Sequence, residues 1–129
     1  SIETCLGLLP RIGPIQFLKA EFCFKAEFDP ESRIFNSKLG GGSLLDIGIY
    51  PVFLSLLVLG VPDHINASAI IGKTGVDNSM SAIFEQNCWI MPSAFISSST
   101  AIAFIISQLN FKSVCTSFSI NKLTFDFII

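Results

Sequence analysis

Between Leu18 and Phe28 the chain alternates, with Leu18, Ala20, Phe22, Phe24, Ala26 and Phe28 on one parity and Lys19, Glu21, Lys25 and Glu27 on the other. A two-residue period belongs to a strand with one face in the core, so this segment predicts a long half-buried strand. Asp29-Pro30-Glu31-Ser32 reads as a turn, and Arg33 to Leu39 as an irregular connector. From Leu44 to Leu59 the pattern changes: nearly every position is apolar, with Asp46, Tyr50 and Ser55 as exceptions. A helix apolar all round is a buried one. Pro51 cannot donate a backbone hydrogen bond and predicts a kink near the first turns. Gly60-Val61-Pro62-Asp63 ends the helix. Upstream, Ser1 to Leu9 reads as the tail of another helix, broken by Pro10-Arg11-Ile12-Gly13-Pro14. A helix tail at residue 1 leads us to expect a chain that starts inside a longer protein.

Beyond the long helix come short strand-like runs at Ile65–Lys73, Ser79–Gln86, Cys88–Ser97, Ala101–Ile106, Phe111–Phe118 and Leu123–Ile129. The tight turns expected between them include Thr74-Gly75-Val76-Asp77-Asn78, Glu85-Gln86-Asn87 and Gln108-Leu109-Asn110. Strands joined this way pair as an antiparallel meander. The expected class is therefore α+β: an open, mainly antiparallel β-sheet packed against one long buried helix, in a single domain over residues 1–129.

Composition narrows the functions. Half of the 129 residues are hydrophobic and 14% are charged. The mean hydropathy of +0.64 exceeds what a small self-contained domain needs, so some apolar surface is expected to meet another domain or subunit. A net charge of −2 without a basic cluster lacks the electrostatic footprint of nucleic-acid binding. The longest apolar run, Ile47 to Val61, covers about 15 residues and is interrupted by Pro51, against roughly 20 needed to span a bilayer. A membrane partner is not expected. Cys5, Cys23, Cys88 and Cys115 are widely spaced and lie in or beside apolar runs, which reads as reduced thiols in a cytoplasmic protein.

Candidate chemistry centres on Asp46 and Tyr50. Four residues apart on a helix, a carboxylate and a phenol share a face. Asp46 also has a structural alternative, because Ser43 three residues earlier resembles a capping box with Asp in the place of Glu. Tyr50 could equally be a core aromatic. A phenol ionises near pH ~10, and bringing it to neutrality takes about 4 kcal/mol. A neighbouring carboxylate opposes that, so a cation must be supplied from outside the helix. Lys38 and the other basic residues offer no evident candidate in sequence. His64, at the helix–strand junction, reads as a surface residue. No cluster of His, Cys, Asp and Glu has metal-ligand spacing, G-G-G-S-L-L lacks the phosphate-loop pattern, and no nucleophile elbow precedes Ser93, Ser97, Ser98, Ser99 or Thr100.

The run GGGSLLDIGIYP, followed by LSLLVLGVPDHINASAIIGKTGVDNSMSAIFEQ, resembles the C-terminal domain of the glucose-fructose oxidoreductase and inositol dehydrogenase (Gfo/Idh/MocA) family. It is most similar to the family's dihydrodiol dehydrogenase and NADP-dependent xylose dehydrogenase branch. The glycine run, D-x-G-x-Y, L-G-x-P and T-G-V-D come in order, and the likeness is good over Arg11 to Glu85. It implies an N-terminal Rossmann domain that binds NADP or NAD, absent from this chain, and a sugar or dihydrodiol substrate. It further implies that Tyr50 exchanges the substrate's hydroxyl proton, that Asp46 orients substrate or relays the proton, and that a lysine from a Glu-Lys-Pro motif of the Rossmann domain is the outside cation. Arg33 and Gly48 would be substrate contacts, and the sheet would serve a homo-oligomer. The chain departs from the family in lacking G-x-G-x-x-G and Glu-Lys-Pro, and it carries Ser107-Gln108-Leu109-Asn110 where a glycine-bracketed turn is usual. The competing expectation is a non-catalytic dimerisation or scaffold module derived from the same family.

Overall fold

The alternating segment forms β1 (Phe17–Lys25), with Leu18 and Ala20 of its apolar parity buried; the strand stops short of the expected Phe28, which is exposed, because the chain leaves the sheet for the Asp29–Ser32 turn. The computed structural model describes residues 2–12, 15–86, 101–120 and 123–126. Across one six-stranded sheet the order is β2 (His64–Ile71), β3 (Asp77–Gln86), β4 (Ala101–Gln108), β1, β5 (Asn110–Ile120) and β6 (Leu123–Asp126). β1 pairs with β4 in parallel, and the other ladders are antiparallel. The α+β class and the mainly antiparallel sheet are as expected. The strand expected over Cys88–Ser97 lies outside the described residues.

The expected meander is interrupted at its centre. β4 and β5 are consecutive in sequence yet flank β1, and Leu109 alone carries the chain across the end of that strand. The Leu109 carbonyl accepts from the Ala26 amide at 2.8 Å, and its own amide donates to the Asn78 carbonyl at 2.9 Å. Setting β1 between two partners satisfies both of its edges in a sheet interior, where its unpaired backbone groups would otherwise be costly. One consequence concerns the cysteines. The register sets Cys23, which is buried, opposite Cys115, so two residues far apart in sequence are cross-strand neighbours.

Two helices cover one face of the sheet. α1 (Ile2–Ile12) runs past Pro10, farther than expected, because a proline this near the C-terminal end disrupts only the last turn. α2 (Ile49–Leu59) is preceded without a break by a wider π-helical turn, Leu44–Gly48. Val58 and Leu59 pack on Leu18, Ala20, Met80, Ala82, Phe84, Ile105 and Ile120, with Leu6 and Leu9 of α1 at the margin. A second small core of Phe35, Ile47 and Leu109 lies under the glycine turn.

The expectation of a fully buried helix holds for one face only. Pro51, Ser55, Val58 and Leu59 are buried, whereas Leu45, Ile49, Phe53, Leu56 and Leu57 form an exposed apolar stripe that also carries Tyr50. A single sheet can cover only one side of a helix, so the apolar residues opposite remain in solvent. By length and composition alone, Ser37–Leu59 (23 residues, mean hydropathy 1.9) is apolar enough to cross a bilayer. Its backbone is a 3₁₀ turn (Ser37–Leu39), a non-helical glycine bend and then the helix, and an irregular stretch of that kind is not tolerated against lipid.

Candidate functional site

The site is built on the first turns of the helical segment, and its neighbours are brought in by backbone contacts of the glycine run. The Asp29–Ser32 turn forms as expected, with Ser32 N donating to the Asp29 carbonyl at 3.1 Å and Glu31 N donating to Asp29 Oδ1 at 3.0 Å. It sends residues 33–36 back across the glycines. Gly42 N donates to the Ile34 carbonyl at 2.8 Å and Gly41 N to the Asn36 carbonyl at 3.0 Å. Gly41 is the residue that permits this approach. A Cβ there would stand 2.5 Å from the Ile34 carbonyl oxygen and 2.7 Å from that of Arg33, closer than any side chain can come.

The connector held in this way delivers Arg33 to Asp46. The guanidinium Nη2 donates to Asp46 Oδ1 in an ion pair whose arginine side is 60% exposed and whose carboxylate side chain is 10% exposed. The cation that meets Asp46 therefore comes from the connector of this chain. Nothing in the local sequence marks the contact, because it joins residues 13 apart across an irregular connector.

Asp46 and Tyr50 lie on one continuous helical run, but each has its own neighbour. The Tyr50 ring tilts against Phe22 of β1, centroids 5.5 Å apart, and Tyr50 is 58% exposed. It is not the buried core aromatic of the structural alternative. Before Pro51, where a kink is expected, the helical run is a widened π-helical turn over Leu44–Gly48. Gly48 is buried against β4. A Cβ there would lie 3.0 Å from Ser107 Oγ and 3.2 Å from Leu44 Cδ1, so the absent side chain lets the helix approach the sheet.

The Ser43–Asp46 capping box does not form. Asp77, at the start of β3, takes the capping role: its Oδ2 accepts from Ser43 Oγ at 2.6 Å and from Leu44 N at 2.8 Å. Ser43 Oγ in turn accepts from Ser107 Oγ at 3.3 Å, and both serines are fully buried. The Asp46 carboxylate is thereby left to Arg33. His64 is exposed at the start of β2, as expected. Ser93, Ser97, Ser98, Ser99 and Thr100 lie outside the described residues.

Comparison with known proteins adds the family. Residues 10–101 match the GFO/IDH/MocA C-terminal domain. The chain belongs to the GFO/IDH/MocA family. Its domain is 41% identical over 78 residues to trans-1,2-dihydrobenzene-1,2-diol dehydrogenase of Xenopus tropicalis, covering 59% of this chain and 23% of that protein. It is 31% identical over 77 residues to D-xylose 1-dehydrogenase (NADP(+)) 2 of Haloferax volcanii, covering 59% of this chain and 24% of that protein. This GFO/IDH/MocA domain thus spans about a quarter of the length of these relatives. Among solved structures, levoglucosan dehydrogenase in complex with NADH and levoglucosan superposes with a TM-score of 0.70 at 16% identity, over 96% of this chain and 35% of that one. The 3-ketoreductase KijD10 from Actinomadura kijaniata, in complex with NADP, superposes with a TM-score of 0.69 at 19% identity, over 95% of this chain and 35% of that one. At these identities the structural likeness is one of fold.

Proposed function

We propose that this domain forms the substrate side of a nicotinamide-dependent dehydrogenase that oxidises or reduces a sugar or dihydrodiol at a CH–OH carbon. The observation that carries the reading is the exposed Tyr50 side chain one helical turn from Asp46, whose charge Arg33 compensates. An isolated carboxylate beside a phenol would oppose loss of the phenolic proton, and pairing it with a guanidinium weakens that opposition.

In this reading Tyr50 holds and exchanges the substrate's hydroxyl proton at its phenolic oxygen, while Phe22 backs its ring. Asp46 accepts a hydrogen bond from the substrate or passes the proton onward, and Arg33 fixes the carboxylate's orientation. The bound nicotinamide supplies the hydride chemistry. A nucleotide-binding domain carrying NADP or NAD and the Glu-Lys-Pro lysine would sit over the stripe of Leu45, Ile49, Phe53, Leu56 and Leu57, which is continuous with Tyr50. The same reading assigns the protein to the cytoplasm and makes the sheet face opposite the helices the surface of a homo-oligomer.

The test is a Tyr50→Phe substitution in the chain joined to a nucleotide-binding domain of this family, assayed for sugar- or diol-dependent NADP reduction. The phenol is exposed and its ring contact survives in Phe, so folding is expected to be unchanged while turnover falls about 10²–10⁴-fold. Equal rates for the two proteins would remove Tyr50 from the chemistry and favour the scaffold alternative.

A further inference from the structure

The T-G-V-D turn and the G-G-G-S-L-L-D run are separate motifs in sequence, 34 residues apart at their point of contact, and the structure joins them through one carboxylate. We propose that Asp77 is a positioning residue for the site, holding the helix start that carries Asp46 and Tyr50 in register with the sheet. This proposal builds on the reading of Asp46 and Tyr50 above.

Three observations converge on it. Asp77 Oδ2 accepts two hydrogen bonds, from Ser43 Oγ at 2.6 Å and Leu44 N at 2.8 Å, and so satisfies one amide that every helix start leaves without an intrahelical partner. Its negative charge also lies at the positive end of the helix dipole. Gly42, at φ +121°, has a backbone that side-chain-bearing residues rarely adopt, and a Cβ there would fall on Asp77 Oδ1. The glycine is therefore shaped to admit this carboxylate. Finally, Ser107 Oγ donates to Ser43 Oγ, which ties β4 to the same point. The helix start is thus pinned to β3 and β4 together, whereas an ordinary cap fixes only its own helix. Asp46 sits three residues, and Tyr50 seven, beyond the pinned Ser43. Release at this point would let both move relative to Phe22 of β1 and Arg33 of the connector.

Asp77→Ala and Asp77→Asn are the test variants. Asparagine keeps an acceptor oxygen at the same reach and alanine removes it. The first measurement is amide hydrogen exchange along the helix. In Asp77→Ala, amides of residues 44–50 are expected to exchange at least about tenfold faster while those of 54–59 keep their protection, and Asp77→Asn restores most of the difference. A uniform acceleration along the helix would mean general destabilisation and overturn the proposal, as would unchanged exchange at 44–50. The second measurement uses the chain joined to its nucleotide-binding domain, at a temperature where both variants are folded. Turnover of Asp77→Ala is expected to fall about tenfold with substrate KM changed less than about threefold, because a displaced proton-exchanging group weakens the transition state more than ground-state binding. An unchanged kcat would overturn the positioning role. Absence of dehydrogenase activity in the parent protein would instead overturn the functional reading, and the exchange pattern would still decide whether Asp77 positions the helix start.

Discussion

Replacing Gly41 with alanine tests how Arg33 reaches Asp46. The added methyl would stand 2.5 Å from the Ile34 carbonyl oxygen, 2.8 Å from its carbon and 2.7 Å from the Arg33 carbonyl oxygen. All three are backbone atoms, so no side-chain rotation can relieve the contact, and the connector must lift by somewhat under 1 Å to restore van der Waals separation. Gly41 itself has no positive φ, so the effect is steric and not one of backbone preference. Overpacking of this kind costs about 1–3 kcal/mol. Lifting Ile34 also stretches the 2.8 Å bond from Gly42 N to its carbonyl, which adds about 1 kcal/mol. We expect a loss of about 2–4 kcal/mol in urea denaturation, or a drop of about 10 °C in Tm for a chain of this size. Turnover of the completed enzyme should fall too, because the displaced connector withdraws Arg33. A Gly41→Ala protein within about 0.5 kcal/mol of the parent would refute the reasoning, since the contact would then have been relieved at no cost.

Gly7, inside α1, has nothing within 4 Å of where its Cβ would be, so Gly7→Ala should raise stability by about 0.5–1 kcal/mol in the same urea assay. Its contrast with Gly41 separates helix propensity from close approach. Arg33→Ala should cost about 1–3 kcal/mol in the same urea assay, because the guanidinium is mostly solvated but the Asp46 carboxylate it leaves unpaired is only 10% exposed, while lowering turnover in the joined enzyme. A turnover equal to the parent's would show that Asp46 does not depend on this partner.

The sequence by itself determined the elements and the residue types at the site. Alternation specified the existence of β1 and the face that buries Leu18 and Ala20, since side-chain direction along a strand has a fixed period, but not where the strand ends, at Lys25 and not Phe28. The apolar run and Gly60 marked the helix and its end, and the D-x-G-x-Y run put a carboxylate and a phenol one turn apart. These are short-range consequences of backbone geometry. Tertiary structure decided the rest. The same apolar run was compatible with burial all round, and only the single covering sheet fixed which side stays in solvent. A meander was equally compatible with the turn signals until β1 came between β4 and β5, which also opposed Cys23 to Cys115. Ser43 and Asp46 had the spacing of a local cap, but Asp77 took that place and Asp46 turned to Arg33. Those contacts depend on where a connector and a hairpin turn end up in space, and no period or spacing in the chain encodes the meeting of residues 13 and 34 positions apart.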